Sequence, residues 1–381
     1  MGAVWLARGW PLLASSCLVA CFPREPAPPR ERAAAPPVVA SAPASSTPPE
    51  PPAPMPRPHR GRLDAAVGLN DACVRCHAEE ATEWRGSRHH ESDTNLAYQK
   101  AFAIEPSAFC RGCHAPEADP AKAPPRAVSE LGVGCVTCHV TEEGSVLAAP
   151  SLHGDRRAPH AVRRSPDFAA TGGCASCHEF RVPGARSSRD PEMMQTTLRE
   201  HARSPARAEP CASCHMPGRA GRPSHAFAET RDPEWLRRSL EASAERDGDH
   251  LRVTLTQTTP GHAFPTGDLF RRLQVAVEAR DAQGRVVRRE ARELARHFEL
   301  VPGRLERHLR RDDRVFARPV TLDFELPEGQ GSWWVTYQRV STAGTGRRGD
   351  EAVLDSEVRL HEGSFPSRPG GDARPAPPPR P

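Results

Sequence analysis

The 381-residue sequence predicts two unlike regions: a mostly irregular and α-helical region over residues 63–245, filled by something other than side chains, and an all-β sandwich over residues 250–364. Three observations carry this. Apolar residues make up only 37% of the chain and aromatics 5%, a thin supply for a large core. Ten of the twelve cysteines fall in five copies of one short motif between Cys73 and His215. After His250 the sequence turns to alternating, β-branched runs.

Residues 1–20 read as an export signal, with Arg8 ahead of an apolar stretch, Trp10 to Ala20, that is too short to span a bilayer. Leu18-Val19-Ala20-Cys21 has the form of a bacterial lipobox, in which Cys21 is lipidated and cleavage falls before it. A plain secretory signal with a chance cysteine is the alternative. Residues 21–62, mostly Pro, Ala, Ser and Arg, lack the apolar side chains to offset the entropy of folding and read as a disordered tether. At about 3.1 Å per residue such a tether reaches up to about 100 Å from a membrane surface. The expectation is an exported protein, periplasmic or an outer-membrane lipoprotein, meeting the membrane through its lipid anchor. Residues 365–381 read as a disordered tail. The net charge of +4 comes from interspersed Arg and acidic residues with no basic run, which argues against nucleic acid as a partner.

The repeated motif is Cys73-Val-Arg-Cys76-His77, Cys110-Arg-Gly-Cys113-His114, Cys135-Val-Thr-Cys138-His139, Cys174-Ala-Ser-Cys177-His178 and Cys211-Ala-Ser-Cys214-His215, each C-x-x-C-H. Two intervening residues set the thiols at the separation of two porphyrin vinyl groups, and the adjacent imidazole reaches the iron from the same turn. A thioredoxin-like pair needs one such motif rather than five, and zinc or disulfides leave the five histidines unexplained. The pattern therefore calls for five c-type haems, with the ten cysteines as thioether attachments and His77, His114, His139, His178 and His215 as proximal iron ligands. Motif starts lie 37, 25, 39 and 37 residues apart, too few to bury a porphyrin singly. The haems then form the core together, and the shortest interval predicts the second and third as the closest pair.

Twelve histidines remain outside the motifs. Two of them lie in Trp84-Arg-Gly-Ser87-Arg-His89-His90, with His89 expected on the helical stretch Asp71 to Glu91 that holds the first motif. Here the chain resembles the multihaem cytochromes related to the tetrahaem cytochromes of nitrifying bacteria, where a W-x-x-S-x-H segment supplies a distal ligand. The likeness runs through Gly134 to His139, Pro159 to Pro166, Cys211 to Pro217 and Ser224 to Phe227, and into Pro260-Gly261-His262-Ala263-Phe264-Pro265-Thr266-Gly267. That last segment resembles the G-H-x-F-P-T-G turn that opens the β-domain of such cytochromes. The resemblance implies His89, His160, His225 and His262 as distal ligands. His153 is the choice for the fifth, ahead of His90 and His201, with Met193 or Met194 as a thioether alternative.

Irons saturated by two imidazoles have no open position and suit electron transfer, so the sequence reads as a carrier rather than an enzyme. The alternative is a multihaem oxidoreductase with one open haem acting on a nitrogen or sulfur oxyanion or hydroxylamine. Pentahaem nitrite reductases typically carry a C-x-x-C-K motif, whereas all five motifs here end in His. Hydroxylamine-oxidising relatives use a cross-linked Tyr, and Tyr98, the one Tyr of this region, has no supporting motif. Expected partners are redox proteins: other cytochromes, quinol-linked donors or an outer-membrane conduit. The β region is a candidate docking module, with one of Trp333 and Trp334 in the core and the other at a rim.

Overall fold

The computed structural model describes residues 62–150, 159–185, 188–189, 192–219, 221–227, 232–259, 261–300, 307–341 and 352–367. The export signal, Cys21, the tether before residue 62, His153 and the tail beyond residue 367 lie outside them. Among the described residues, no helix is long and apolar enough to cross a membrane.

Short helices joined by turns make up the motif region. Helix Asp64–Cys76 buries Ala66 and Asn70, four residues apart on one face, and delivers both cysteines of the first motif at its end. Helix Ala78–Arg85 buries Ala81 and Trp84. Leu96–Ile104 starts at Asn95, whose side chain accepts from the Ala97 and Tyr98 amides. The later motifs each close as a helical turn, in Ala108–His114, Cys135–His139, Ala175–His178 and Cys211–His215. Side-chain clusters here are small: Ala66, Trp84, Leu131, Val136 and Val140 form one, Ala115, Ala118 and Val128 another. Leu69, Leu96, Ile104 and Phe109 stay exposed, so the apolar surface of this region is not spent on a core of its own.

Two antiparallel sheets follow. One orders its strands Val286–Leu294, Arg271–Arg280, Gln330–Val340 and Leu354–Phe365; the other orders Val320–Glu325, His250–Gln257 and Leu240–Asp247. Inward residues of both meet in one cluster, with Leu251, Val253, Leu255 and Phe324 from the second sheet and Leu273, Val275, Val277 and Val335 from the first. The expected turn at Asp281 to Gly284 joins two strands, with Gly284 at φ 78°. Trp333 is in the core and Trp334 only half-buried, between the guanidinium groups of Arg289 and Arg359.

Two expectations need correction. The helical pattern read over 233–245 ends at Arg238, and Leu240 opens a strand paired with His250–Gln257. Leu240, Ala242 and Ala244 turn inward while Glu241, Ser243 and Glu245 turn out, a period of two that pairing selects over helix propensity. The sandwich therefore begins ten residues before His250. The stretch after the first motif is likewise not one helix: it breaks at His77, and the second helix stops at Gly86, so His89 lies in turns beyond it.

Phe324 is fully buried between the sheets. Replacing it by alanine is expected to cost about 3–5 kcal/mol of unfolding free energy, measured by urea titration. A cost below about 1 kcal/mol would mean that this cluster is not the core of the sandwich.

Candidate functional site

Each motif histidine directly follows its second cysteine, one turn beyond the first, and short polar contacts fix how two of the rings point. The Nδ1–H of His114 donates to the Ser92 carbonyl at 2.6 Å, and that of His139 to the Leu147 carbonyl at 2.8 Å. Both leave Nε2 as the free ligating atom, the arrangement second-sphere carbonyls commonly impose on ligating imidazoles. All ten described cysteines are free thiols.

Four of the five motif histidines face a second imidazole from a remote part of the chain. His77 faces His160 with ring centres 6.4 Å apart, His139 faces His225 at 6.3 Å, His178 faces His89 at 6.2 Å, and His215 faces His262 at 6.0 Å. A metal–imidazole bond of about 2.0 Å plus about 1.1 Å from nitrogen to ring centre, counted on both sides, totals about 6.2 Å. This separation matches two rings ligating one iron, and it recurs in all four pairs between a motif histidine and a remote one. Among the described residues, no group of three or more His, Cys, Asp or Glu forms a bare metal site.

The second motif differs. Its His114 ring is stacked on Tyr98 at 3.7 Å and 6°. His153, the expected fifth partner, is outside the described residues. Of the other expected candidates, His90 packs edge-on against Trp84 and His201 is buried in helix Thr197–Arg203 near His262. Met193 is buried on strand Met193–Thr196, against Glu179–Arg181.

Backbone contacts from distant segments deliver the facing rings. The His89 carbonyl accepts the Val133 amide at 2.8 Å, while Val133 itself accepts the Trp84 indole N–H at 2.9 Å. Gly132 makes this approach possible: its φ is 57°, and a Cβ there would fall 2.7 Å from the His89 carbonyl oxygen. Asn70 of the first helix caps the third motif by accepting the Cys135 amide at 2.8 Å. Burial drives several of these imidazoles toward the neutral, ligating form. It pushes His89 down to about 4 with help from His215. It pushes His178 down to about 3, together with His89 and His215, although that ring keeps accessible surface.

Thiol neighbours show which motifs adjoin. Cys113 of the second motif shares a hydrogen bond with Cys177 of the fourth, and Cys174 of the fourth with Cys211 of the fifth. Cys73 of the first lies in the field of Cys135 of the third, and Cys138 of the third in that of Cys177. The second motif thus meets the fourth and the first meets the third, while Thr137 inside the third motif donates to Glu117, three residues past His114, at 3.1 Å. The 25-residue interval includes helix Arg126–Leu131, whose Val128 packs with Ala115 and Ala118 and against Leu63 and Val67.

Free thiol pairs, an adjacent imidazole in every motif and facing imidazoles at iron-bridging distance fit covalent haem, and these features define a multihaem c-type cytochrome. Residues 72–140, holding the first three motifs, match the family described as cytochrome c554 and c-prime. No curated protein matches the chain. Among solved structures it is similar to a penta-haem cytochrome c552 from Thermochromatium tepidum, at 19% identity and a TM-score of 0.58, over 80% of this chain and 99% of that one.

The loop bearing His225 is held by a charge pair that the sequence did not reveal. Glu83 accepts the His225 amide at 2.8 Å and pairs with Arg222 at 2.8 Å; Arg222 first and the amide second hold its carboxyl well down, at about 2 instead of 4.5. Ionised Glu83 therefore stabilises the fold above pH about 4.5, and its contribution is lost as pH falls through about 2. Glu83→Gln should lower stability at pH 7, with the gap to the parent closing between those two values in urea titrations. A gap that does not change with pH would rule out this account.

Proposed function

We propose that the chain is an electron-transfer cytochrome carrying five covalently attached haems, four of them held between paired imidazoles. The observation that supports this best is the set of four facing pairs, His77 with His160, His139 with His225, His178 with His89 and His215 with His262, all at 6.0–6.4 Å. Covalent haem supplies reversible one-electron chemistry when bound. The residues of the chain do the rest. The ten motif thiols fix each group at two points, the imidazoles fill both axial positions, and the Ser92 and Leu147 carbonyls hold two of those rings in one tautomer. Thiols of the first and third and of the third and fourth motifs lie within electrostatic reach of each other, and those of the second and fourth and of the fourth and fifth share hydrogen bonds, a linkage that suits electron transfer through the whole set. The similar cytochrome c552 is itself described as penta-haem, which agrees with a count of five.

One site supports a second reading. His114 is stacked on Tyr98 instead of facing a described histidine, and the Tyr98 hydroxyl is buried with no hydrogen-bond partner among the described residues. If His153 does not reach this site, its haem has an open axial position, and an oxidoreductase acting on a nitrogen or sulfur oxyanion or on hydroxylamine becomes the better description. Electron paramagnetic resonance of the oxidised, haem-loaded protein separates the two, with a pyridine-haemochrome count alongside. Five haems, all low-spin, are expected. A stoichiometric high-spin signal that shifts with nitrite or hydroxylamine would establish the second reading, and a count below five would overturn the first.

We also propose export, lipid anchoring at Cys21 and service to redox partner proteins, since haem attachment to ten thiols belongs to an exported chain with a dedicated attachment system. Cys21→Ser is expected to release the protein from the membrane to the soluble fraction. Continued membrane association would remove the lipid anchor from this picture.

A further inference from the structure

The residues that keep His262 facing His215 come from three remote segments and converge on one buried charge pair. Glu200, in helix Thr197–Arg203, is 6% exposed. One of its carboxylate oxygens accepts the amide of Ala263, the residue after His262, at 3.1 Å and the Thr266 hydroxyl at 2.7 Å. The other accepts the Thr196 hydroxyl at 2.7 Å and the Arg314 guanidinium at 2.6 Å. Arg314, 8% exposed, also donates to the Pro265 carbonyl at 3.1 Å and pairs with Asp312 at 2.7 Å.

The turn around His262 is therefore gripped at 263, 265 and 266 by this pair, and at its own carbonyl by the Gln257 amide at 2.7 Å. Beyond it, Phe264 pairs with Val315 through two backbone hydrogen bonds and enters the sandwich core. The imidazole of His262 has one contact of its own kind, Nδ1–H to the Ala263 carbonyl at 3.1 Å. Its aim is thus set by the main chain, and the main chain by Glu200 and Arg314. Glu200 also belongs to the proximal side: its helix neighbour His201 lies in the field of Cys211, the first attachment residue of the fifth motif.

We propose that Glu200 and Arg314 are positioning residues for the sixth ligand of the fifth haem, a clamp by which the β region sets how firmly His262 binds. This rests on the reading of His215 and His262 as an axial pair. Two buried charges that satisfy each other and five neighbouring donors and acceptors give a rigid frame, and outer-sphere partners of this kind govern how long a ligand stays bound. A role confined to holding the fold together would change stability and leave ligand exchange at this one haem untouched.

The test uses the full-length, haem-loaded protein, reduced and mixed with carbon monoxide, whose binding to a six-coordinate haem waits for an imidazole to leave. His262→Ala identifies the site: it should make one haem bind rapidly and remove one low-spin resonance signal. Glu200→Ala and Arg314→Met should each speed binding at that same single haem by about 10- to 100-fold. The double variant should add little, because both residues act through one turn. Glu200→Gln retains an acceptor for the Ala263 amide and should lie between Glu200→Ala and the parent. Parental exchange kinetics and spectra in Arg314→Met and Glu200→Gln overturn the clamp, and these two decide if Glu200→Ala does not fold. If His262→Ala itself changes neither spectrum nor kinetics, the assignment of His262 as a ligand is what has failed, and the clamp falls with it.

Discussion

Two imidazoles whose centres stand about 6 Å apart make a ring contact worth about 1 kcal/mol at most. Four such pairs nevertheless recur in this chain within a spread of 0.4 Å, from 6.0 to 6.4 Å. A metal between the rings accounts for one spacing recurring four times, and the rest of the motif region is arranged around these pairs. Helices there are short, their buried faces small, and the polar contacts run from backbone to ring or from backbone to backbone near a ring. Few apolar side chains are needed because the volume is meant for porphyrin.

The sandwich is the opposite case and explains why the two regions share one chain. Its nineteen-residue buried cluster is self-sufficient, so it can offer a fixed edge to a neighbour that has little stiffness of its own. It does so through charged pairs: Arg314 to Glu200, Arg307 to Glu105 at 2.8 Å and Lys100 to Asp355 at 3.3 Å. It also contributes His262 itself. The boundary between motif region and β region therefore runs through the turn that bears His262, and removing the sandwich would remove the imidazole that faces His215 as well as a support.

Legibility in the sequence followed the range over which each signal acts. The five motifs are local: cysteines and histidine lie within five residues, and in the third and fifth motifs those same five residues form one helical turn. The W-x-x-S-x-H and G-H-x-F-P-T-G segments carried His89 and His262 by resemblance, and His160 and His225 came the same way. Which imidazole faces which could not be read, because the partners are 83, 86, 89 and 47 residues apart and nothing local encodes the choice. Strand Val286–Leu294 was missed because it is an edge strand with exposed Arg and Glu on both faces and no alternation to detect. Residues 240–245 carry a helical pattern in the sequence because Leu, Glu and Ala favour helices until a partner strand is present.

Glu83 and Glu200 were invisible for a related reason. A single glutamate in a short helix is the commonest of surface residues, and nothing in its neighbourhood marks it as buried. Their roles emerge from position alone: each accepts a backbone amide at or next to a facing histidine, and each is balanced by an arginine from elsewhere in the chain. The recurrence has a physical logic. A distal imidazole arriving on a loop has no helical turn to orient it, unlike its proximal counterpart, so the loop must be immobilised from outside. A carboxylate can hold an amide and a guanidinium at once, fixing the loop without occupying the space beside the ring. Local sequence places each motif histidine beside its cysteines, and long-range charge pairing holds the facing histidines His225 and His262 where they sit on loops.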